Sequence, residues 1–366
     1  IEKLKGERAV LESHVETWAI LRQTGVLHKN LLHDNISDGL LFHTPYNVPI
    51  EWVTAHDSGV LLKNLLNQDY HETLDSNFWK KVYNIGGGEA NRVTGYETFQ
   101  EGFGIIGVTP ESFMKPNWNA TRNFHCMWYL DSYILDDYFN FQKESIHSFW
   151  QDILNSHKYF KLAKIVPTKL LSNMVLKPLL KDENAPYHWV QTKSVGRVTA
   201  AFGSMEDFEN LPTEWENFNV LSKGKTWDGE TIDYADLKDF TKANRYKLDH
   251  GYDEEKPDSE LDINDMKGAA EFRGGKCISE TMVKGDLYTP LEWETHSGKR
   301  FFLSPYAVIK AGHWDAIDDL PEPWNYDELA KTNKFYAQIW YDTHKEDEDY
   351  VYYHDGEEPK FKKIGE

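Results

Sequence analysis

The stretch Thr17-Trp18-Ala19-Ile20-Leu21-Arg22-Gln23-Thr24-Gly25 decides the fold class. Its first six residues have the apolar, aromatic composition of a short buried strand, and Gln23-Thr24-Gly25 is a polar loop. Upstream, Leu4, Val10, Leu11 and Val15 recur at roughly helical spacing, so an amphipathic helix is expected over residues 3–14. Helix, strand and polar loop in that order form the repeating unit of a parallel sheet. Ligands of such sheets sit at the carboxyl ends of the strands, which makes Arg22 to Gly25 a candidate ligand edge.

The pattern recurs downstream. Pro49 to Thr54 reads as a second short strand, followed by Ala55-His56-Asp57-Ser58-Gly59 and a helix carrying Val60, Leu61, Leu62, Leu65 and Leu66. Asp57 stands where that helix begins, and its carboxylate is read as a cap for free N–H groups in preference to a catalytic acid. Trp79 to Ile85 reads as a strand running into Gly86-Gly87-Gly88-Glu89. Three glycines after a strand suit a phosphate-cradling loop or a plain tight turn. No Lys-Ser/Thr follows, and the spaced glycines of a dinucleotide loop are not at the first strand, so the turn is preferred. Asp131-Ser132 reads as a cap for a helix whose apolar face holds Ile134, Leu135 and Tyr138.

Bulk composition narrows the class. Of 366 residues, 40% are hydrophobic and 14% aromatic, which excludes a disordered chain. The 40 basic residues against 60 acidic ones give a net charge of −20. A polyanion is repelled over most of such a surface, so neither nucleic acid nor a membrane is an expected partner. A local basic pocket for one phosphate group stays open. Only Cys126 and Cys277 are present, which excludes a disulfide framework and points to a reducing, cytoplasmic setting. No run approaches the roughly 18–20 apolar residues of a membrane span. No signal peptide is visible, and Asn119-Ala120-Thr121 is read as a chance sequon. Because the chain opens in mid-helix, without a cap or leading strand, a preceding segment is expected.

Residues 144–185 read as helical and basic, with Lys158, Lys161, Lys164, Lys169, Lys177 and Lys181. A solvated face with snorkelling lysines is preferred there over a phosphate or partner-docking patch. Residues 205–265 are acidic and rich in turn formers, as a linker or loose insert would be. A compact unit is expected from about Asn264, with an Ala-rich helix, Gly274-Gly275, and strands at Leu291 to Glu294 and Lys299 to Leu303. The resulting division is 1–150, 151–262 and 263–366.

Several ordered motifs resemble the carboxyl-terminal part of the extended short-chain dehydrogenases, the NAD(P)-dependent epimerase/dehydratase family. Lys3-Leu4-Lys5-Gly6-Glu7-Arg8-Ala9-Val10 is similar to the continuation of that family's Tyr-x-x-x-Lys signature, with the tyrosine falling just before Ile1. Leu21 to Gly25, Ile50 to Gly59 and Val82-Tyr83-Asn84-Ile85-Gly86-Gly87-Gly88 resemble, in order, its later strand-to-loop junctions. The resemblance implies an α/β, Rossmann-like fold lacking its nucleotide-binding half. It implies a reaction at a nucleotide-linked sugar or similar alcohol. Lys3 would serve the catalytic tyrosine and the cofactor ribose, Arg22, Gln23 and Thr24 would line the cofactor–substrate junction, and Thr24, Asn84 and Arg92 would contact substrate. NAD or NADP belongs to the intact family; this chain alone is expected to bind neither and to show no turnover, unless a separate polypeptide supplies the nucleotide-binding half. The alternative of another class is a non-catalytic binding or scaffold protein on the same fold.

The last hundred residues resemble a small zinc-ribbon-like module through Arg273-Gly274-Gly275-Lys276-Cys277-Ile278-Ser279, Trp293-Glu294-Thr295, Gly298-Lys299 and Gly312-His313-Trp314. The four ligand positions hold Thr295, Lys299, Asp315 and Asp318, which do not suit structural zinc. A metal-free α+β relic is expected, held by aromatics and a Lys299–carboxylate pair. His296 and His313 are read as framework residues.

Overall fold

A computed structural model describes residues 2–30, 38–123, 127–129, 131–220, 248–314, 324–341, 343–348 and 351–352. The architecture is mixed α/β, with helix well in excess of strand. Its principal elements are α1 (Glu2–Leu11), β1 (Ala19–Gln23), β2 (Val26–Leu27), β3 (Pro49–Glu51), β4 (Val53–Thr54), α2 (Ala55–Tyr70), β5 (Lys81–Ile85), β6 (Arg92–Thr94) and α3 (Gly95–Gly104). There follow α4 (Ile146–Ser156), α5 (Thr168–Leu179), α6 (Ile263–Phe272), β7 (Lys276–Cys277), β8 (Leu291–Glu294) and β9 (Arg300–Leu303). No helix among the described residues is long and apolar enough to cross a membrane.

The strands form small sheets, because most are only two to five residues long. β1 and β5 are hydrogen-bonded neighbours. Lys80 N donates to Trp18 O (2.7 Å) at one end and Thr24 N to Ile85 O (3.3 Å) at the other, so the two strands run in the same sense. β2 and β4 are parallel, pairing Val26 with Val53, whereas β3 and β6 are antiparallel, pairing Ile50 with Val93 and Glu51 with Arg92. The strand expected over 49–54 is therefore two strands in two sheets. Trp52 marks the change: its N–H donates to Asn91 O and its carbonyl accepts from Gly87 N.

Two expected caps are placed differently. The N-cap of α2 is Thr54, whose hydroxyl accepts from Asp57 N at 3.1 Å. Asp57 lies within the first turn and its carboxylate accepts instead from Lys143 N and Glu144 N, at 2.9 and 3.0 Å. Ser132 precedes the short helix Tyr133–Phe139 but makes no side-chain cap, because its hydroxyl points to Glu51.

The chain divides into two compact units, and residues 1–150 contribute to both. One gathers the described residues of Ile1–Ile20, Trp79–Val82 and Arg245–Pro359. Its core joins Trp293, Leu303, Ala307, Val308 and Trp314, with Leu11, Trp18 and Val82 packed against it. The sheet β7-β8-β9 is antiparallel throughout, and a tight turn from Thr295 to Lys299 links β8 to β9. The expected strands at 291–294 and 299–303 are thus present. Thr295 and Lys299 serve that turn, through Lys299 N donating to Thr295 Oγ1, while Asp315 and Asp318 lie outside the described residues. Trp314 meets Trp293 and Phe301 edge-on, at centroid distances of 5.9 and 5.5 Å. His313 is buried against Glu7, Nε2 to Oε2 3.1 Å, in keeping with a framework role.

The other unit gathers the described residues of Leu21–Phe78 and Tyr83–Asn244. One core cluster groups Phe42, Tyr46, Tyr96, Phe99 and Leu176; a second joins Leu27, Val93, Phe149 and Trp150. Each of these aromatic and aliphatic side chains contributes roughly 1.5–3 kcal/mol by leaving water. The segment expected to be a loose insert is packed where it is described. Trp215 and Phe218 lie against Tyr46, and Phe208 against Phe202. Large apolar rings inside an acidic stretch give it the burial that its charge alone argues against.

Candidate functional site

The carboxyl ends of β1 and β5 and the β3–β4 junction converge on Glu51, the last residue of β3. Its side chain has no exposure, so both carboxylate oxygens need partners. Oε1 accepts from Ser132 Oγ at 2.6 Å and Gly88 N at 3.0 Å; Oε2 accepts from Tyr129 N at 2.9 Å and Arg92 Nε at 3.0 Å. Arg92 sits opposite Glu51 in the β3–β6 ladder, which explains the reach, and it also donates to Tyr129 O at 2.7 Å. Four donors, one of them charged, compensate the buried carboxylate.

The glycines after β5 make this arrangement sterically open. A Cβ at Gly86 would stand 2.1 Å from Glu51 Oε1, and one at Gly87 would stand 2.3 Å from Trp52 O. Gly88 adopts φ +75°, a region that favours glycine. The loop is thus a close-approach turn whose Gly88 amide already faces an internal anion.

Thr24 and the other expected ligand-edge residues surround the same point. Thr24 Oγ1 donates to Glu51 O at 2.7 Å. Gln23 is exposed and its Nε2 donates to Ser58 Oγ at 3.0 Å, at the start of α2. Arg22 is half-buried on β1. Asn84 Nδ2 lies 3.1 and 3.2 Å from the two oxygens of Asp131, and Gln142 Nε2 bridges Gly86 O and Ser132 O. Arg22, Gln23, Thr24, Asn84 and Arg92 therefore share one unit. Lys3 belongs to the other unit, exposed on α1.

Reading the sequence missed Glu51, Ser132 and Gln142 as members of this cluster. A signal for Glu51 existed: an acid directly after Pro49-Ile50 in a strand otherwise built to be buried. Ser132 and Gln142 carry no comparable local signal, since they flank the Tyr133–Phe139 helix and reach the cluster only through tertiary packing.

One further group of potential ligand atoms, His56, Asp57 and Glu144, lies within 4.8 Å of one another. The His56 imidazole is exposed and stands 3.2 Å from Asp57 Oδ1, and Asp57 Oδ2 is taken by two backbone amides. That geometry makes Asp57 a tie between the start of α2 and residues 143–144. Comparisons with protein-family models, curated proteins and solved structures give no match for this chain.

Proposed function

We propose that this chain is the substrate-side portion of an NAD(P)-dependent epimerase/dehydratase-like oxidoreductase, acting on a nucleotide sugar or a similar alcohol. The observation that carries the reading is the same-sense pairing of β1 with β5. It sets Thr24 beside Ile85 and so puts two strand-end loops, Thr24-Gly25 and Gly86-Gly87-Gly88, at one sheet edge. Ligands of parallel α/β sheets bind at such edges. Exposed Gln23 and half-buried Arg22, Thr24, Asn84 and Arg92 line this edge with polar groups of the kind that meet sugar hydroxyls and phosphate oxygens, with Thr24 Oγ1, whose proton goes to Glu51 O, serving as an acceptor.

The dinucleotide fits these residues only in part. Gly88 N, the loop amide that would face a phosphate, is taken by the Glu51 carboxylate, which repels one. No chemical step is derived through the nicotinamide for this reason, and Lys3 enters only by the family likeness. The donor set is read as holding the sugar end, with the nucleotide-binding half supplied by residues outside this chain.

Saturation-transfer NMR of the full chain with UDP-glucose and GDP-mannose tests this. The expected result is transfer to sugar protons, lost in Thr24→Val with Gln23→Ala, and NADPH oxidation no faster than background. Absence of transfer from every nucleotide sugar overturns the reading. It would favour a scaffold role, for which the mutual saturation of Glu51 and Arg92 already speaks.

A further inference from the structure

Between Asp152 and Asp182 the sequence holds six lysines and no acidic residue, in a chain whose net charge is −20. The structure arranges the first three in an unusual way. A short α-helix, Phe160–Ala163, is flanked by turns closed by bonds from residue i+3 to residue i, among them Lys161 N to Lys158 O, Leu162 N to Tyr159 O and Val166 N to Ala163 O. On a short helix with turned ends, residues three apart fall near the same face. The segment Lys158-Tyr159-Phe160-Lys161-Leu162-Ala163-Lys164-Ile165-Val166 therefore sorts into three rows. Phe160, Ala163 and Val166 are half-buried, with Phe160 against the Phe149–Trp150 cluster. Lys158, Lys161 and Lys164 form an exposed cationic row. Tyr159, Leu162 and Ile165 form an apolar row that is 61, 66 and 81% exposed.

α5 continues the same character after Pro167. Its inner face buries Ser172 and Leu176, leaving Leu170 and Met174 outward with Lys169 and Lys177. None of these lysines makes an ion pair among the described residues.

We propose that this ridge docks on an anionic phospholipid surface, with the lysines at the headgroup phosphates and Tyr159, Leu162 and Ile165 entering the boundary with the acyl chains. Charge complementarity selects an anionic partner, and the adjacent apolar row selects one that offers an apolar medium a few ångströms away. An acidic protein strip or a nucleic acid satisfies the lysines but leaves three protruding apolar side chains facing charge. The overall negative charge opposes the approach at low ionic strength; near physiological salt its reach is limited to about 8 Å.

Co-sedimentation of the full chain with vesicles tests the proposal, comparing pure phosphatidylcholine with a mixture containing about one-third phosphatidylserine. Binding is expected to the anionic vesicles alone. Lys158→Gln with Lys161→Gln and Lys164→Gln should lower partitioning on the order of 100-fold. Leu162→Ser with Ile165→Ser should lower it at least about tenfold. These side chains are exposed, so circular dichroism should show both variants folded. No binding to anionic vesicles overturns the proposal, and so does equal binding to both vesicle types. Full binding by the serine variant overturns it as well, and assigns the ridge to a purely electrostatic partner such as an acidic protein.

Discussion

Arg92 holds the carboxylate of Glu51 at 3.0 Å, directly across the β3–β6 ladder, where Glu51 has no contact with solvent. The pair closes a network that also includes Ser132, Tyr129 and Gly88. A buried acid in such a position is costly to disturb from either side, because each partner left behind is a desolvated charge.

Glu51→Gln should destabilise the fold by about 3–5 kcal/mol, since Arg92 loses its counter-charge and one amide N–H is turned toward existing donors. Urea unfolding followed by tryptophan fluorescence measures this. The double variant Glu51→Gln with Arg92→Met should recover part of the loss, and strict additivity would argue against coupling of the two.

Two glycine-to-alanine changes should have opposite signs. Gly86→Ala drives a methyl to 2.1 Å from Glu51 Oε1 and should cost several kcal/mol, on the scale of strained overpacking at about 1–3 kcal/mol or more. Gly59→Ala, inside α2 with nothing within 4 Å of its Cβ, should stabilise by about 0.5–1 kcal/mol. Thermal melts of the two variants side by side provide the comparison.

Arg273 is buried, and its guanidinium donates to His250 O, Ala269 O and, more distantly, Val308 O while stacking 4.6 Å over Phe335. Burial pulls its pKa down to about 10. Arg273→Met leaves those carbonyls without their donor and should cost roughly 2–4 kcal/mol, measured by chemical denaturation. Arg273→Lys should not restore the loss, because one ammonium cannot reproduce the fork.

The Asp286 carboxyl is held below its usual value by the Thr289 hydroxyl, with help from the Thr289 and Tyr288 amides. A folded pKa below the unfolded one gives stability that is present above the unfolded value of 3.8 and is lost as pH falls through the folded value. Asp286→Asn should therefore flatten the drop in melting temperature between about pH 5 and pH 3. An unchanged drop would place the acid sensitivity elsewhere.

What the sequence disclosed was local. Alternation and length marked β1, β5, β8 and β9 because a short apolar run bounded by turn formers has few other uses. Strand-end reasoning marked only Arg22 to Gly25; Asn84 and Arg92 entered through the family resemblance, and the structure places them in the same unit as Thr24. What stayed hidden depends on tertiary return paths. Asp57 looks like a cap because caps are read from chain order, yet its partners are the amides of residues 143 and 144. Trp52 interrupts a run that composition presents as continuous, because two different sheets claim its two sides. The apolar row of Tyr159, Leu162 and Ile165 was equally opaque: in a segment read as helical, only the burial of Phe160, Ala163 and Val166 shows which side chains are left facing water.

The division of the chain also bears on synthesis. Leu11 and Trp18 pack against a core whose buried members all lie beyond residue 245, so more than two hundred residues must leave the ribosome before they can be covered. At a usual rate of about 5–20 residues per second, that interval lasts on the order of ten to fifty seconds. During it, an apolar helix face and a tryptophan stay open to solvent. Newly made chains should thus depend on holding chaperones around Leu11 and Trp18, and refolding from full-length denatured protein should be the less aggregation-prone route.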